Sequence, residues 1–143
     1  MASQRRCVPS GIAAPAAAGI PVTHRGIAAS VTFATAHLAE SAPDWKHLAG
    51  AETLVLFMAG QRLAEATQAL IAFGKPSSTP AAVVEAGTWD GQRVVEGTLG
   101  TIAQRACAEL FGSPSLLVVG EVVSLRAQLA SFAPAQAALR RQQ

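Results

Sequence analysis

Residues 52–58 read Glu-Thr-Leu-Val-Leu-Phe-Met, ETLVLFM. The run is almost continuously apolar and holds neither Gly nor Pro. Alternating polar and apolar residues would mark a strand with one wet face. A short unbroken apolar run marks a strand buried on both faces. Upstream of it, Ser41 and Asp44 form an S-x-x-D start signal with Pro43 in the first turn, which predicts a short helix over about 43–48. Downstream, Leu63, Ala66, Leu70 and Phe73 recur at helical spacing until Gly74 and Pro76 stop them.

The same alternation continues outward. Ala81 to Ala86 (AAVVEA) reads as a strand, Gly87 to Gly91 (GTWDG) as a turn, and Gln92 to Glu96 (QRVVE) as the return strand of a hairpin. Thr98 is placed to cap a helix whose apolar face is Leu99, Ile102, Ala103, Ala106 and Leu110. Gly112, Ser113 and Pro114 break that helix. Ser115 to Val119 (SLLVV) is a fifth strand, and Val122, Leu125, Leu129 and Phe132 share one face of a last helix. On the N-terminal side, Ala13 to Gly19 is an Ala-rich helix stopped by Gly19 and Pro21, and Ala28 to Thr35 is a β-branched and aromatic strand. The order predicts an α/β fold: a mixed sheet of about five strands flanked by helices.

A chain of 143 residues can bury one core. With half its residues hydrophobic and 14% charged, disorder is expected only at the ends, including a polar tail over 133–143. The formal charge of +2 comes partly from the terminal pairs Arg5–Arg6 and Arg140–Arg141. No basic stripe interleaved with aromatics crosses the body, which argues against nucleic acid as a partner. Cys7 and Cys107 make neither a disulfide framework nor a metal spacing and suit a reducing compartment. The three histidines also lack ligand spacing, so no metal site is expected. A basic start followed by an Ala-rich run imitates an export leader, but Pro15 and Pro21 interrupt it, and no stretch reaches membrane-spanning length.

One polar cluster stands out. Gly19 to His37 reads GIPVTHRGIAASVTFATAH, so Thr23, His24 and Arg25 sit between an apolar run and a strand. A guanidinium fork and an imidazole beside a sheet edge suit an anionic ligand. This segment, extended to SGIAAPAAAGIPVTHRGIAASVTFATAH, is followed in order by TLVLFMAG, AAVVEAGTWDGQRVVEGTL and SPSLLVVGEVV. In that order the motifs closely resemble the C-terminal portion of the tetrapyrrole methylase family, in its uroporphyrinogen-III C-methyltransferase branch, over about Val8 to Phe132.

The resemblance implies a cytoplasmic homodimer that transfers methyl groups from S-adenosylmethionine to two ring carbons of uroporphyrinogen III. Its product, precorrin-2, leads to sirohaem and cobalamin. Residues 10–132 would be the second of two α/β domains, with the cofactor in the cleft between them. Met58, Gly87 and Thr88 would contact the cofactor, with Glu85 in the same Glu-x-Gly-Thr motif. Ala59 stands where the family usually has Gly, and its methyl would obstruct a ligand's approach to the backbone. Thr23, His24 and Arg25 would contact the substrate, an octacarboxylate, with Arg25 foremost and His24 an oriented structural side chain. His37 would be a capping residue, and His47 is expected to be solvated. No catalytic acid or base is assigned. The sulfonium methyl is already activated, so catalysis rests on alignment.

The departures from the family also imply something. The Gly-rich loop and Gly-Gly-Asp segment of the family's first domain have no counterpart here, and its Pro-Gly-Ile/Val-Thr-x-x-Ser-Gly turn is missing where Val8-Pro9 runs straight into Ser10-Gly11. Residues 1–9 then read as the remnant of an inter-domain segment. The alternatives are a catalytically inactive folded or dimerising remnant, half of a split enzyme, or another precorrin methyltransferase.

Overall fold

The computed structural model describes residues 10–36, 41–85, 91–111 and 115–130. Its elements, in chain order, are α1 (Ser10–Ala17), β1 (Val31–Thr35), α2 (Trp45–Ala49), β2 (Thr53–Phe57), a 3₁₀ turn (Gly60–Arg62) leading into α3 (Leu63–Ala72), β3 (Pro80–Glu85), β4 (Arg93–Thr98), α4 (Ile102–Ala108), β5 (Ser115–Val119), a second 3₁₀ turn (Glu121–Leu125) and α5 (Arg126–Ala130).

The five strands form one mixed sheet in the order β1-β2-β5-β3-β4. β1 and β2 run parallel, and β5 pairs antiparallel with both β2 and β3. β3 and β4 form the expected antiparallel hairpin. Consequently β1, β2 and β3 all finish at one end of the sheet, where β4 and β5 begin. The ETLVLFM reading holds for the strand itself: Leu54, Val55 and Leu56 are fully buried. Leu54 and Leu56 join the cluster under α2, α3 and α4, with Leu63, Leu70, Leu99 and Ile102. Val55 faces the opposite cluster with Ala14, Ala18, Ile20 and Val122. Helical layers therefore cover both faces.

Several boundaries differ from the sequence reading, each for a local reason. α1 begins at Ser10 and runs through Pro15, which is buried. Gly11 lets the helix approach the sheet so closely that a Cβ there would lie 2.5 Å from the Phe57 ring. β1 starts at Val31 rather than Ala28, because Ala28 exchanges backbone hydrogen bonds with His24 instead. The α2 cap is Asp44, not Ser41: its Oδ1 accepts from the His47 amide at 3.1 Å. Thr98 is the last residue of β4, and Thr101 takes the cap position of α4, its Oγ1 accepting from the Thr98 amide at 3.0 Å.

Phe73 and Leu110, expected on core faces, lie beyond the ends of their helices and are 53% and 84% exposed. The last helix opens as a 3₁₀ turn, whose tighter winding breaks the single apolar face. Val122 and Val123 are buried, whereas Leu129 is exposed. Phe132 and the tail lie outside the described residues. Arg126 anchors this segment, donating from Nε to the Ala18 carbonyl at 2.9 Å and from a terminal nitrogen to Glu96 at 2.8 Å.

Where β1, β2 and β3 begin, the chain is tightly braced. Lys75 is buried and donates from Nζ to the carbonyls of Ala51 at 2.7 Å and Ala49 at 3.4 Å. Burial pushes its ammonium below the usual lysine value of 10.5, with the Glu121 charge opposing. Gly120, after β5, has φ +150°, and a Cβ there would lie 2.6 Å from the Glu52 carbonyl oxygen. Both the backbone angle and the space demand glycine. Gly120→Ala is expected to lower stability by about 2–3 kcal/mol in urea unfolding. A loss under about 0.5 kcal/mol would show that the Glu52 backbone yields to the added methyl.

Candidate functional site

The end of the sheet where β1, β2 and β3 finish carries an orderly row of residues. Thr35 pairs with Phe57, Phe57 with Leu116, and Leu116 with Val84. Just beyond these pairs, Ala36 and Met58 follow Thr35 and Phe57 in sequence and Ser115 precedes Leu116, while Glu85 pairs with both Ser115 and Arg93. Carboxyl ends of strands are where open α/β sheets take ligands, because the following loops leave a crevice there.

Met58 is the unusual member. It is 63% exposed and has φ +56°, a left-handed conformation uncommon for a residue with a side chain. An ordinary core methionine ending an apolar strand would be buried; this one turns out of the strand and presents its thioether at the edge. Ala59 corrects an expectation. Its φ of −76° suits any residue, and its methyl is buried in the helix-side core, so it offers no obstruction at the edge.

Two further residues, unremarkable in the sequence, matter here. Ser115 Oγ is buried and has no hydrogen-bond partner among the described residues; Thr53 Oγ1, at the other end of the sheet, shares that condition. Arg93 holds the neighbouring strands together. It pairs with Glu85, donates from its terminal nitrogens to the carbonyls of Glu109 at 3.0 Å and Leu110 at 3.1 Å, and stacks 4.4 Å from the Phe111 ring centre. The Glu85 carboxylate is thus engaged by Arg93. The edge offers a soft sulfur, a buried hydroxyl and apolar surface, which is equipment for binding. Gly87, Thr88 and His37 lie outside the described residues, although Gly87 and Thr88 follow Glu85 directly in sequence.

Thr23, His24 and Arg25 do not join this row. They form an exposed hairpin in which His24 and Ala28 exchange backbone hydrogen bonds of 3.0 Å around Gly26 at φ +82°. The His24 Nδ1 lies 3.0 Å from the Arg25 carbonyl, an oriented arrangement. Among the described residues the Arg25 guanidinium makes no ion pair, whereas Arg62, Arg93 and Arg126 each make one. The hairpin precedes β1, so it stands at the sheet end opposite Met58, about 20 Å away at roughly 3.3 Å per strand residue. His47 is exposed on α2, as expected. Among the described residues no cluster of His, Cys, Asp and Glu is suited to a metal, and no helix is long and apolar enough to cross a membrane.

Glu52 lies at the hairpin's base. Its Oε2 accepts from the Ala29 amide at 2.8 Å, the Ser30 amide at 2.8 Å and the Ser30 hydroxyl at 2.9 Å. The Ser30 hydroxyl first, then the two amides, hold this carboxyl below the usual glutamate value of 4.5.

Comparison with known proteins settles the family. Residues 7–103 match the pattern of the Tetrapyrrole (Corrin/Porphyrin) Methylases. The chain belongs to the tetrapyrrole methylase family. It is 51% identical over 124 residues to a siroheme synthase of Stutzerimonas stutzeri, covering 85% of this chain and 27% of that protein. It is 46% identical over 121 residues to a uroporphyrinogen-III C-methyltransferase of Priestia megaterium, covering 82% of this chain and 51% of that protein. A tetrapyrrole methylase of known structure, the uroporphyrin-III C-methyl transferase of Thermus thermophilus complexed with S-adenyl homocysteine, superposes with a TM-score of 0.69 at 29% identity. That likeness covers 76% of this chain and 49% of the Thermus chain. The chain thus spans between about a quarter and about half the length of these relatives. The matched region takes in the hairpin and Met58, while Ser115 lies beyond it.

Two outcomes test the geometry. Met58→Gly is expected to raise unfolding free energy by about 0.5–1 kcal/mol, since glycine relieves the left-handed strain. A decrease in urea unfolding would contradict that strain. For Glu52, a folded-state value below 4.5 means that its contribution is complete above pH 4.5 and is lost as pH falls through the depressed value. The amide resonances of Ala29 and Ser30 should shift together only below pH 4.5; a transition above it would refute the assigned hydrogen bonds.

Proposed function

We propose that this chain forms half of the cofactor site of a uroporphyrinogen-III C-methyltransferase, which methylates two ring carbons of uroporphyrinogen III to give precorrin-2, toward sirohaem and cobalamin. Met58 carries the reading. A thioether held in left-handed backbone at a strand end, 63% exposed, is poorly explained by packing and well explained by a planar ligand resting on it.

The residues present fit S-adenosylmethionine. Its adenine face suits the Met58 sulfur, and the Ser115 hydroxyl, without a hydrogen-bond partner among the described residues, supplies a donor and acceptor at the same edge. Gly87 and Thr88 belong to this contact in our reading, glycine through close backbone approach and threonine through its hydroxyl. The bound donor supplies a methyl already activated by its sulfonium. The protein's task is to bind, exclude water and align the acceptor carbon. Arg25, with Thr23 and His24, takes the substrate's carboxylates. In this reading Arg25, at the sheet end opposite Met58, takes a peripheral carboxylate rather than a group on the reacting ring. We place the protein in the cytoplasm as a homodimer.

A second reading is a domain that is inactive by itself, or one half of a split enzyme, and that contributes to methyl transfer only when the rest of the site is supplied; the chain spans about half of the Priestia relative. The test is a chimera in which this chain replaces the corresponding segment of the Priestia enzyme, assayed with methyl-labelled S-adenosylmethionine and uroporphyrinogen III beside the isolated chain. Label in the tetrapyrrole from the chimera, and none from the isolated chain, is the expected result. Met58→Ala in the chimera should weaken binding of S-adenosylhomocysteine about tenfold. A folded chimera without transfer would favour the inactive domain.

A further inference from the structure

The anionic-ligand reading of Arg25 raises a mechanical question: what gives an exposed hairpin one orientation? A guanidinium on a freely swinging loop binds carboxylates weakly, because its ordering entropy must be lost on binding. The upstream arm of this hairpin is anchored by packing, since Ile20 is buried and Val22 packs against the same cluster. On the downstream arm Ala28 is buried, but the next two residues, Ala29 and Ser30, are exposed and lie outside the β1 pairing. Ala28 and Val31 on either side of them are packed against the cluster, but Ala29 and Ser30 themselves add little to that packing.

A single carboxylate binds their polar groups. Glu52 stands one residue before β2 and receives three donors on one oxygen, all from Ala29 and Ser30. We propose that Glu52 is a positioning residue for the Thr23–Arg25 hairpin: by fixing its downstream arm to the start of β2, it sets the direction from which Arg25 meets an anionic ligand. Glu52 does not touch that ligand. Its own place is held by the backbone around it. Lys75 grips the carbonyls of Ala49 and Ala51 immediately upstream, and the space a Gly120 side chain would fill is taken by the Glu52 carbonyl. A buried cation thus steadies the segment that carries the anion, and the anion steadies the hairpin. The proposal rests on the reading of Arg25 as a carboxylate contact.

The experiment uses the full chain and uroporphyrin III, the stable oxidised octacarboxylate, with binding followed by its fluorescence. Four proteins beside the parent decide the matter: Arg25→Ala, Glu52→Ala, the double variant, and Glu52→Gln, which keeps an acceptor oxygen. Glu52→Ala is expected to weaken binding about tenfold, the double variant no further than Arg25→Ala alone, and Glu52→Gln by less than about threefold. Losses that add in the double variant, or a Glu52→Ala protein that binds like the parent, would overturn the proposal. A parent chain that does not bind uroporphyrin III, or an Arg25→Ala protein that binds unchanged, would sink the ligand reading instead. In that case amide exchange decides the role of Glu52. Faster exchange in Glu52→Ala confined to residues 24–30 supports the positioning role, and unchanged exchange there refutes it.

Discussion

Everything in this fold depends on the backbone hydrogen bonds of one short strand. β5 lies between β2 and β3 and bonds to both; β1 reaches the rest of the sheet only through β2, and β4 only through β3. Val118 and Val119 are fully buried, and successive β5 residues alternate between the two apolar clusters, Leu116 and Val118 on one face and Leu117 and Val119 on the other. Were β5 removed, two strand pairs would remain, each with the edge that had faced β5 left open, which is too little sheet to be stable alone. The same strand places Ser115 between Met58 and Glu85, so the row of residues at the candidate cofactor edge is one row only because β5 completes it.

The two ends of the sheet are built differently. Where β1, β2 and β3 finish, the principal polar device is the Arg93 fork, which ties Glu85 to the last carbonyls of α4 and leaves Met58 and Ser115 for other company. Where those strands begin, Lys75 and Glu52 organise backbone groups, and among the described residues no ion pair joins the hairpin to the sheet. In both places a charged side chain serves several backbone groups at once. Charge-assisted hydrogen bonds to backbone hold loops that have too little apolar surface to be packed into place.

Much of this was legible in the sequence. Local patterns do not need to know their neighbours, so the runs ETLVLFM, AAVVEA, QRVVE and SLLVV declared themselves as strands, and the GTWDG turn declared a hairpin. Helix ends were less legible, because Ser41 and Asp44, or Thr98 and Thr101, are chemically equal candidates for a cap and the tertiary path chooses between them. What no local pattern carries is spatial order. Nothing in SLLVV says that it is central, and nothing in Thr-His-Arg says that it lies at the opposite end from Met58. The left-handed turn at Met58 was hidden for a related reason: apolar character continues through it, although the ladder stops at Phe57. Ser115 and Glu52 looked like ordinary strand-flanking residues, since an orphan hydroxyl and a three-donor carboxylate exist only once distant segments have met.

The central position of β5 also has a temporal meaning. Its partners on β2 lie about sixty residues earlier in the chain. Contacts that distant close slowly, because the loop entropy must be lost before any ladder bond forms. During synthesis, β1–β2 and the β3–β4 hairpin emerge first and wait, each presenting an apolar, unpaired edge, until residues 115–119 leave the ribosome. The vulnerable period of this protein therefore falls in that interval, when two open strand edges are available to any other chain that reaches them before β5 does.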